Sequence, residues 1–327
     1  MRENCTHGSE GGEGQPFPTP IRASNDLLAP QSCNVLCAFA EHLAPGDPAA
    51  IIAGDLATAE DVAKIRAKLG LDQPLLIQFF TWVGQLLHGD LGNSIFSAHP
   101  VSQLIGQRLE PTLTLTVTTL FISILLAVPM GVLAASRVGS WIDRCVMGFA
   151  VLGFSVPGFV IGYVLIWLFA IELDWLPVQG YTPLAKGFWP WLSNILLPSI
   201  TLALAYMALI ARITRAAMLE TLSQDYLRTA HAKGLAGRDV LTRHALRNAA
   251  VPIVTVNGIG VALLIGGVVI TETVFNIPGI GRLVVDAIAR RDYPIIQGVI
   301  LVFSGVYVLV NLLVDLSYTF FDPRIRY

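Results

Sequence analysis

Five long apolar runs constrain the fold of this chain more than any other feature of its sequence. None of them contains Asp, Glu, Lys or Arg, and they occupy residues 112–135, 145–171, 192–211, 249–270 and 294–313. A helix needs about 20 apolar residues to cross the hydrocarbon core of a bilayer. The sequence therefore predicts an all-α, multi-pass transmembrane helical bundle with five spans.

Composition and motifs exclude several classes of protein. Hydrophobic residues make up 54% of the chain and charged residues 13%, which is outside the usual range of soluble domains. Four cysteines are too few for a disulfide framework, and no phosphate-binding loop, metalloprotease motif or serine-hydrolase motif occurs. We expect no catalytic, cofactor-binding or metal-binding residues and no nucleic acid partner. Any energy for work must come from a partner protein.

A basic polar segment separates the third apolar run from the fourth. Lys and Arg are enriched on the cytoplasmic side of membrane proteins, so this segment is predicted to be cytoplasmic. The C-terminus, with two arginines after the last run, is predicted to lie on the same side. The basic residues of the segment and its flanks are Arg212, Arg215, Arg228, Lys233, Arg238, Arg243 and Arg247.

The centre of this segment has the pattern of a helix, a glycine turn and a second helix. Good helix formers fill residues 226–233, and Gly234 and Gly237 interrupt them. The second helix has Asp239 in its first turn, where a carboxylate is favourable. We interpret residues 218–248 as a docking element. The first helix carries small residues that let another protein approach its backbone closely: Thr229, Ala230 and Ala232.

This segment resembles the cytoplasmic EAA loop of the membrane-spanning subunits of bacterial ABC importers, whose coupling helix sits in a groove of the ATPase subunit. The family pattern is Glu-Ala-Ala, three residues and Gly, and Arg228 and Thr229 depart from it. The version Arg-Thr-Ala-x-Ala-Lys-Gly is similar to the dipeptide, oligopeptide and nickel permease branch. The resemblance implies that ATPase docking belongs to Arg228, Thr229, Ala230, His231, Ala232, Lys233, Gly234 and Leu235.

Other segments are similar to the same branch, and the resemblance covers residues 42 to 327. They are residues 43–49, 69–74, 88–92, 271–281, 290–294 and 321–327. The resemblance implies a type I ABC importer permease fold in the bacterial inner membrane. It also implies a second, different permease subunit, two ABC ATPase subunits and an extracytoplasmic substrate-binding protein. The substrates of such permeases include dipeptides, oligopeptides, nickel complexes and glutathione.

Two other functions remain open from the sequence. A secondary transporter driven by an ion gradient usually places ionisable residues near the middle of its spans, and the five runs contain no charged residue. The second alternative is a truncated paralogue that does not transport, or a membrane scaffold. An upstream reading frame encoding a basic, apolar helix would argue against that alternative.

The N-terminal segment, residues 1–41, departs from the family pattern. It is rich in Gly, Pro and Ser, which predicts disorder, and its apolar patch at 33–40 is far shorter than a span. The basic, apolar first helix of the family is therefore missing or altered, and we expect either an incorrect start or a truncated paralogue. Residues 42–110 are predicted to be an extracytoplasmic region with short helices, and residues 111–327 the transmembrane domain.

Three further residues are candidates for the translocation pathway or its gate. Pro157 interrupts the second run and implies a kink. Asn257 is a polar residue among glycines in the fourth run, where helix packing is the alternative role. Glu272 follows that run, and its alternative interpretation is a solvated carboxylate at the membrane interface. The first run is expected to open at Pro111, with its threonines bonded back to helix carbonyls.

Overall fold

The computed structural model describes Ala49 and residues 58–68 and 72–321. The predictions for residues 1–41 and for the tail 322–327 lie outside these ranges. The helices are α1 (Ala59–Lys68), α2 (Leu75–Leu87), α3 (Val101–Ser136), α4 (Trp141–Ser155), α5 (Gly158–Leu165), α6 (Phe188–Leu222), α7 (Asp225–Ala232), α8 (237–248), α9 (Ala250–Val274), α10 (Ile280–Arg290) and α11 (Tyr293–Phe321).

Three of these helices, α3, α6 and α11, are each long and apolar enough to cross a membrane. The number rises to five if α4 with α5, and the two halves of α9, each make one span; these pairs bend by 103° and 49°. α5 ends in a π-helical turn, Ile166–Glu172, and α8 is π-helical over Val240–Ala245. Every predicted run falls on one of the three long helices or on one of the two bent pairs. The all-α, multi-pass bundle is therefore confirmed.

The long helices extend beyond the predicted runs. α3 begins at Val101, so Pro111 lies inside this helix and does not open it as predicted. α6 begins at Phe188, which places Trp189 and Trp191 in its first turns and not in a loop. A helix of 36 residues such as α3 is longer than the bilayer core is thick, since each residue adds about 1.5 Å. Its polar end therefore projects beyond the apolar layer.

α6 is the central helix of the bundle. In its most apolar stretch 67% of the residues are buried, whereas the corresponding value for α11 is 6%. α3 packs along α6 at close range: a Cβ added to Gly131 would lie 2.6 Å from Thr214 Cβ and 2.8 Å from the backbone oxygen of Ala211. Small residues thus bring the two backbones together, as in many membrane helix pairs.

The bundle has two ends that differ in composition. The end we call the basic end carries the turn 137–140, α7 and α8. The other, which we call the opposite end, carries residues 88–100, the loop 173–187 and α10. At the opposite end, Asp292 is buried and accepts hydrogen bonds from the Ser94 hydroxyl at 2.5 Å and the Ile95 N–H at 3.3 Å. These bonds tie the segment before α3 to the start of α11.

Candidate functional site

One face of α7 is anchored in the bundle. Leu227 is 1% exposed and Ala230 is 9% exposed, and both belong to an apolar cluster with Met218, Val240 and Ala245. The two residues are three positions apart and therefore share a face of the helix. The other described side chains of α7 are exposed: Asp225, Tyr226, Arg228, Thr229 and Ala232.

Gly234 forms the turn that ends α7. Its φ angle is +79°, and the N–H of Leu235 donates to the carbonyl oxygen of Ala230 at 3.4 Å. A hydrogen bond that spans six residues, from Ala230 to Leu235, is typical of the Schellman motif at the C-terminus of a helix. In this motif the residue with the left-handed conformation, here Gly234, is usually glycine. The glycine turn predicted at this residue is confirmed. Gly237, in contrast, does not break a helix but begins α8.

A side-chain hydrogen bond holds α7 against α8. The Asn248 Nδ2 donates to the Tyr226 hydroxyl oxygen at 2.6 Å and to the carbonyl oxygen of His244 at 2.9 Å. Together with the buried face of α7, this bond fixes the Tyr226 ring at the junction of the two helices. The helix–turn–helix therefore forms one element of defined shape.

A groove with a volume of about 340 Å³ lies on the free side of this element. Tyr226 is 43% exposed and Leu235 41% exposed, so the groove offers apolar surface to the outside. On the same helix, Arg228 pairs with Asp225 at 3.4 Å, and because both side chains are exposed the pair contributes little stability. The groove is lined by Tyr226, Thr229, Ala230, Lys233, Leu235 and His244.

Most of the residues assigned to docking lie on the surface of this element. Ala230 faces inward and forms the floor of the groove, and the side chain of His231 lies outside what the structure describes. Sequence reasoning missed Tyr226 and His244. The available signal was the spacing of Tyr226, Thr229 and Lys233. Steps of three and four residues place these side chains on one face of a helix. The exposed residues are Arg228, Thr229, Ala232, Lys233, Gly234 and Leu235.

Pro157 lies at a break and not merely at a kink. α4 ends at Ser155, α5 begins at Gly158, and their axes differ by 103°. Pro157 is exposed and directly precedes α5. A residue at this position does not donate its N–H within the helix, so proline, which has no N–H, is tolerated there. The change of direction therefore takes place at Val156 and Pro157, the two residues between the helices.

Asn257 lies where α9 crosses α6. Its Nδ2 donates to the carbonyl oxygen of Ile253 at 2.7 Å, and its own backbone oxygen accepts from the Tyr206 hydroxyl at 2.8 Å. Gly260 faces the Tyr206 ring so closely that a Cβ there would overlap the ring. The Asn257 Oδ1 is buried without a hydrogen-bond partner among the described residues.

Glu272 is fully buried, so its interpretation as a solvated carboxylate was wrong. The Thr112 hydroxyl donates to its Oε1 at 2.6 Å, and the Arg282 N–H donates to its Oε2 at 3.0 Å. Thr112 Oγ1 in turn accepts from the Ile280 N–H at 2.8 Å. Glu272 and Thr112 thus cap the first turn of α10, where N–H groups lack partners within the helix.

Comparison with known proteins identifies the family. The family described as "Binding-protein-dependent transport system inner membrane component" matches residues 127–327, and the N-terminal component of such systems matches residues 32–116. The chain belongs to this family of permeases. It is similar to the "Probable peptide ABC transporter permease protein y4tP" of Sinorhizobium fredii, with 59% identity over 88% of this chain and 91% of the relative.

A second relative agrees with this family, and two solved structures share the fold. The permease is 44% identical to the "Glutathione transport system permease protein GsiC" of Salmonella paratyphi A, over 88% of this chain and 91% of the relative. A chain of the MetNI methionine ABC transporter in inward facing conformations matches with a TM-score of 0.55 and 18% identity, over 68% of this permease and 97% of that chain. An amino acid ABC transporter chain matches with a TM-score of 0.50 and 15% identity, over 68% and 95%.

The family determines the general role of the chain. The permease is a membrane subunit of an ATP-driven importer and is located in the inner membrane as a multi-pass protein. It is a transport component and not an enzyme, and it works with ATPase and substrate-binding subunits. The type I permease fold expected from the sequence is confirmed.

Proposed function

We propose that this permease imports peptides. The proposal is supported by the relative of 59% identity, which is described as a peptide transporter. Glutathione is a second candidate, because a relative of 44% identity is described as a glutathione permease and glutathione is itself a short peptide. The permease would pair with a second, different permease subunit, and two ATPase subunits and one substrate-binding protein would complete the importer.

The groove between α7 and α8 is the proposed docking surface for one ATPase subunit. The observation that carries this proposal is that α7 is anchored on one side and open on the other. Leu227 is buried in the bundle, and Ala230 is buried as the floor of the groove. Tyr226, Thr229 and Lys233 line the exposed part of the groove. A rigid element with one anchored face transmits a push or pull to the helices beneath it. The basic end, and with it the C-terminus, would therefore face the cytoplasm.

ATP binding would act on the permease through this element. Closure of the two ATPase subunits would draw the two docking elements of the paired permeases together and would rock their spans between two rigid arrangements. Pro157 is our candidate for a hinge along the pathway. Asn257 and Glu272 would influence the gate through helix packing, because their contacts join α9 to α6 and to α3.

Replacement of Gly234 tests the docking role. A β-branched residue such as Val is strained in the left-handed conformation, whereas Asn adopts it more readily. Apart from the two neighbouring residues, no atom of the described residues lies within 4 Å of a Cβ added at this position, so the substitution acts through the backbone. We expect Gly234→Val to lower binding of the ATPase about tenfold, which corresponds to about 1.4 kcal/mol, and Gly234→Asn to remain near wild type.

The measurement uses the complete importer in proteoliposomes. ATPase subunits retained on the purified permease and ATP hydrolysis stimulated by the loaded binding protein are compared among wild type, Gly234→Val and Gly234→Asn. Equal retention and equal stimulation in all three would contradict the docking role. Uptake of a labelled dipeptide, a labelled oligopeptide and glutathione by the wild-type importer decides between the substrate classes.

A further inference from the structure

A partly buried ion pair joins the start of α4 to α6 at the basic end. The Arg215 Nε donates to Asp143 Oδ1 at 2.5 Å, and its Nη2 donates to Asp143 Oδ2 at 2.9 Å. The Asp143 side chain is 8% exposed and the Arg215 side chain 22% exposed. A two-pronged contact of this kind restricts both distance and orientation, which a single point contact does not.

The turn before α4 holds Asp143 in place. Asp143 Oδ2 also accepts from the Gly139 N–H at 3.0 Å, and Gly139 has a φ of +74°. The Ser140 side chain caps α4 by accepting from the Asp143 N–H at 3.4 Å. The Asp143 carboxylate thus binds both Gly139 of the turn and the Arg215 side chain. The Asp143 backbone N–H holds the turn to the start of α4.

Arg215 lies close to the docking element along the chain. It precedes the end of α6 by about two helical turns, and α7 follows that end directly. The last turns of α6 and the buried face of α7 share one apolar cluster, which contains Ala217, Met218, Leu227 and Ala230. The cluster makes the end of α6 and α7 a single packed unit, and Arg215 extends from that unit.

Asp143 lies at the other end of a rigid segment that reaches the break at Pro157. α4 continues from Trp141 without interruption to Ser155, where the 103° change of direction begins. α4 also touches α6 near its far end, where a Cβ on Gly153 would lie 3.2 Å from Ala208 Cβ. The ion pair adds a second fixed point between α4 and α6, at the basic end of α4.

We propose that Asp143 and Arg215 are positioning residues that pass movement of the α6–α7 unit to α4, and through α4 to the break at Pro157. The inference rests on the proposed docking of an ATPase on α7. The pair is suited to this role because its two parallel hydrogen bonds fix both the distance and the orientation between α4 and α6. Removal of Arg215 would also leave the Asp143 carboxylate, which is 8% exposed, without its charged partner. Neither residue is among those that line the groove.

The test separates transport from ATP hydrolysis in the complete importer. Asp143→Asn, Arg215→Gln and the double variant are reconstituted in proteoliposomes, and the amount of peptide imported per ATP hydrolysed is measured. The matched controls are Arg144→Gln and Arg212→Gln, which change exposed residues on the same two helices. We expect each single variant to retain its ATPase subunits and to lower import per ATP at least about fivefold, the lower range of coupling between sites.

The double variant shows whether the two residues act as a unit. If they do, it loses no more import per ATP than the more affected single variant, since no unpaired charge remains. Wild-type import per ATP in both single variants, or an equal loss in the two controls, would overturn the proposal. The docking proposal fails by a different result, namely ATPase retention by Gly234→Val equal to that of wild type.

Charge-conserving variants keep the test decisive if a neutral variant fails to assemble. Asp143→Glu and Arg215→Lys preserve both charges but disturb the two parallel hydrogen bonds between the guanidinium and the carboxylate. Glu is longer by one methylene group, and Lys presents a single point charge. We expect both to assemble with their partners and to lower import per ATP. An unchanged ratio in both assembled variants would show that the pair serves only for stability.

Discussion

Glu272 shows how much structure can depend on one residue. Its carboxyl group accepts hydrogen bonds from Thr112 of α3 and Arg282 of α10 while it is itself part of α9. Gly279 passes so close that a Cβ there would overlap the carboxyl group. Three helices at the opposite end therefore meet on one side chain, and the residue acts as a helix cap in a buried place.

Replacement of Glu272 with Ala should destabilise the permease. The Arg282 N–H would lose its acceptor, and the Thr112 hydroxyl would keep only the more distant Arg108 carbonyl oxygen at 3.3 Å. The loss of such hydrogen bonds costs about 1–3 kcal/mol. Glu272→Gln keeps an acceptor oxygen and should have a smaller effect. The midpoint of thermal unfolding of the purified permease in detergent measures this difference. Asp286→Ala, an exposed carboxylate on α10, is the control.

An unaltered midpoint in Glu272→Ala would contradict the capping role. An equal drop of the unfolding midpoint in Asp286→Ala would indicate that the effect does not depend on the burial of the carboxyl group. If Glu272→Ala lowers the midpoint while transport per folded importer stays at the wild-type level, the residue has a structural role and no role in the gate.

The contact between α3 and α6 shows how two elements specify each other. Small residues on α3 meet α6 along its length, and this face contains Ser123, Ala127 and Gly131, each four residues from the next. No side chain separates the helices at Gly131, since a Cβ there would lie 2.8 Å from the backbone oxygen of Ala211. A backbone atom cannot move aside as the end of a side chain can. The two helices are therefore held as a rigid pair.

Gly131→Ala should separate α3 from α6 and destabilise the bundle. Overpacking of a tight contact costs about 1–3 kcal/mol. The matched control is Gly106→Ala on the same helix, where an added Cβ would have no neighbour within 4 Å in the part of the chain that the structure describes. That change should be neutral or stabilising by about 0.5–1 kcal/mol, because Ala is the better helix former. Unfolding in denaturing detergent compares the two variants with wild type, and equal behaviour would contradict the rigid pair.

The number of crossings decides how the whole molecule is oriented. Between residue 97 and residue 229 the chain contains α3, the pair α4 and α5, and α6. If the bent pair crosses the membrane, three crossings separate the two positions and they face opposite sides. If the pair is a re-entrant loop, the positions face the same side. The five predicted spans require the first arrangement.

Sided labelling tests this arrangement. Ser97 and Thr229 are both exposed, and each is replaced by Cys in a chain whose own cysteines have been changed to Ser. The chain is expressed without ATPase subunits, so that nothing covers α7. We expect Ser97→Cys to react with a membrane-impermeant maleimide in intact spheroplasts, and Thr229→Cys to react only in inverted vesicles. Reaction of both from one side would show that the bent pair does not cross.

The sequence was sufficient for the class of fold and for the family. Uncharged runs of about 20 residues have few stable alternatives to membrane helices, because every backbone polar group must be satisfied within the bilayer. The glycine turn at Gly234 was predictable for a local reason, since a left-handed residue favours glycine in any context. The motif around Arg228 pointed to the family that the comparisons confirm.

Only the tertiary structure decided which polar residues are buried and what they hold. Glu272 and Asp143 lie at the ends of apolar runs, where a sequence cannot distinguish a solvated carboxyl group from a buried one. Their partners, Thr112 and Arg215, are far away along the chain. Helical periodicity reports the face of one element, but contacts between elements depend on where other helices pass. Long-range packing therefore gave these residues their structural roles, and local sequence could not reveal them.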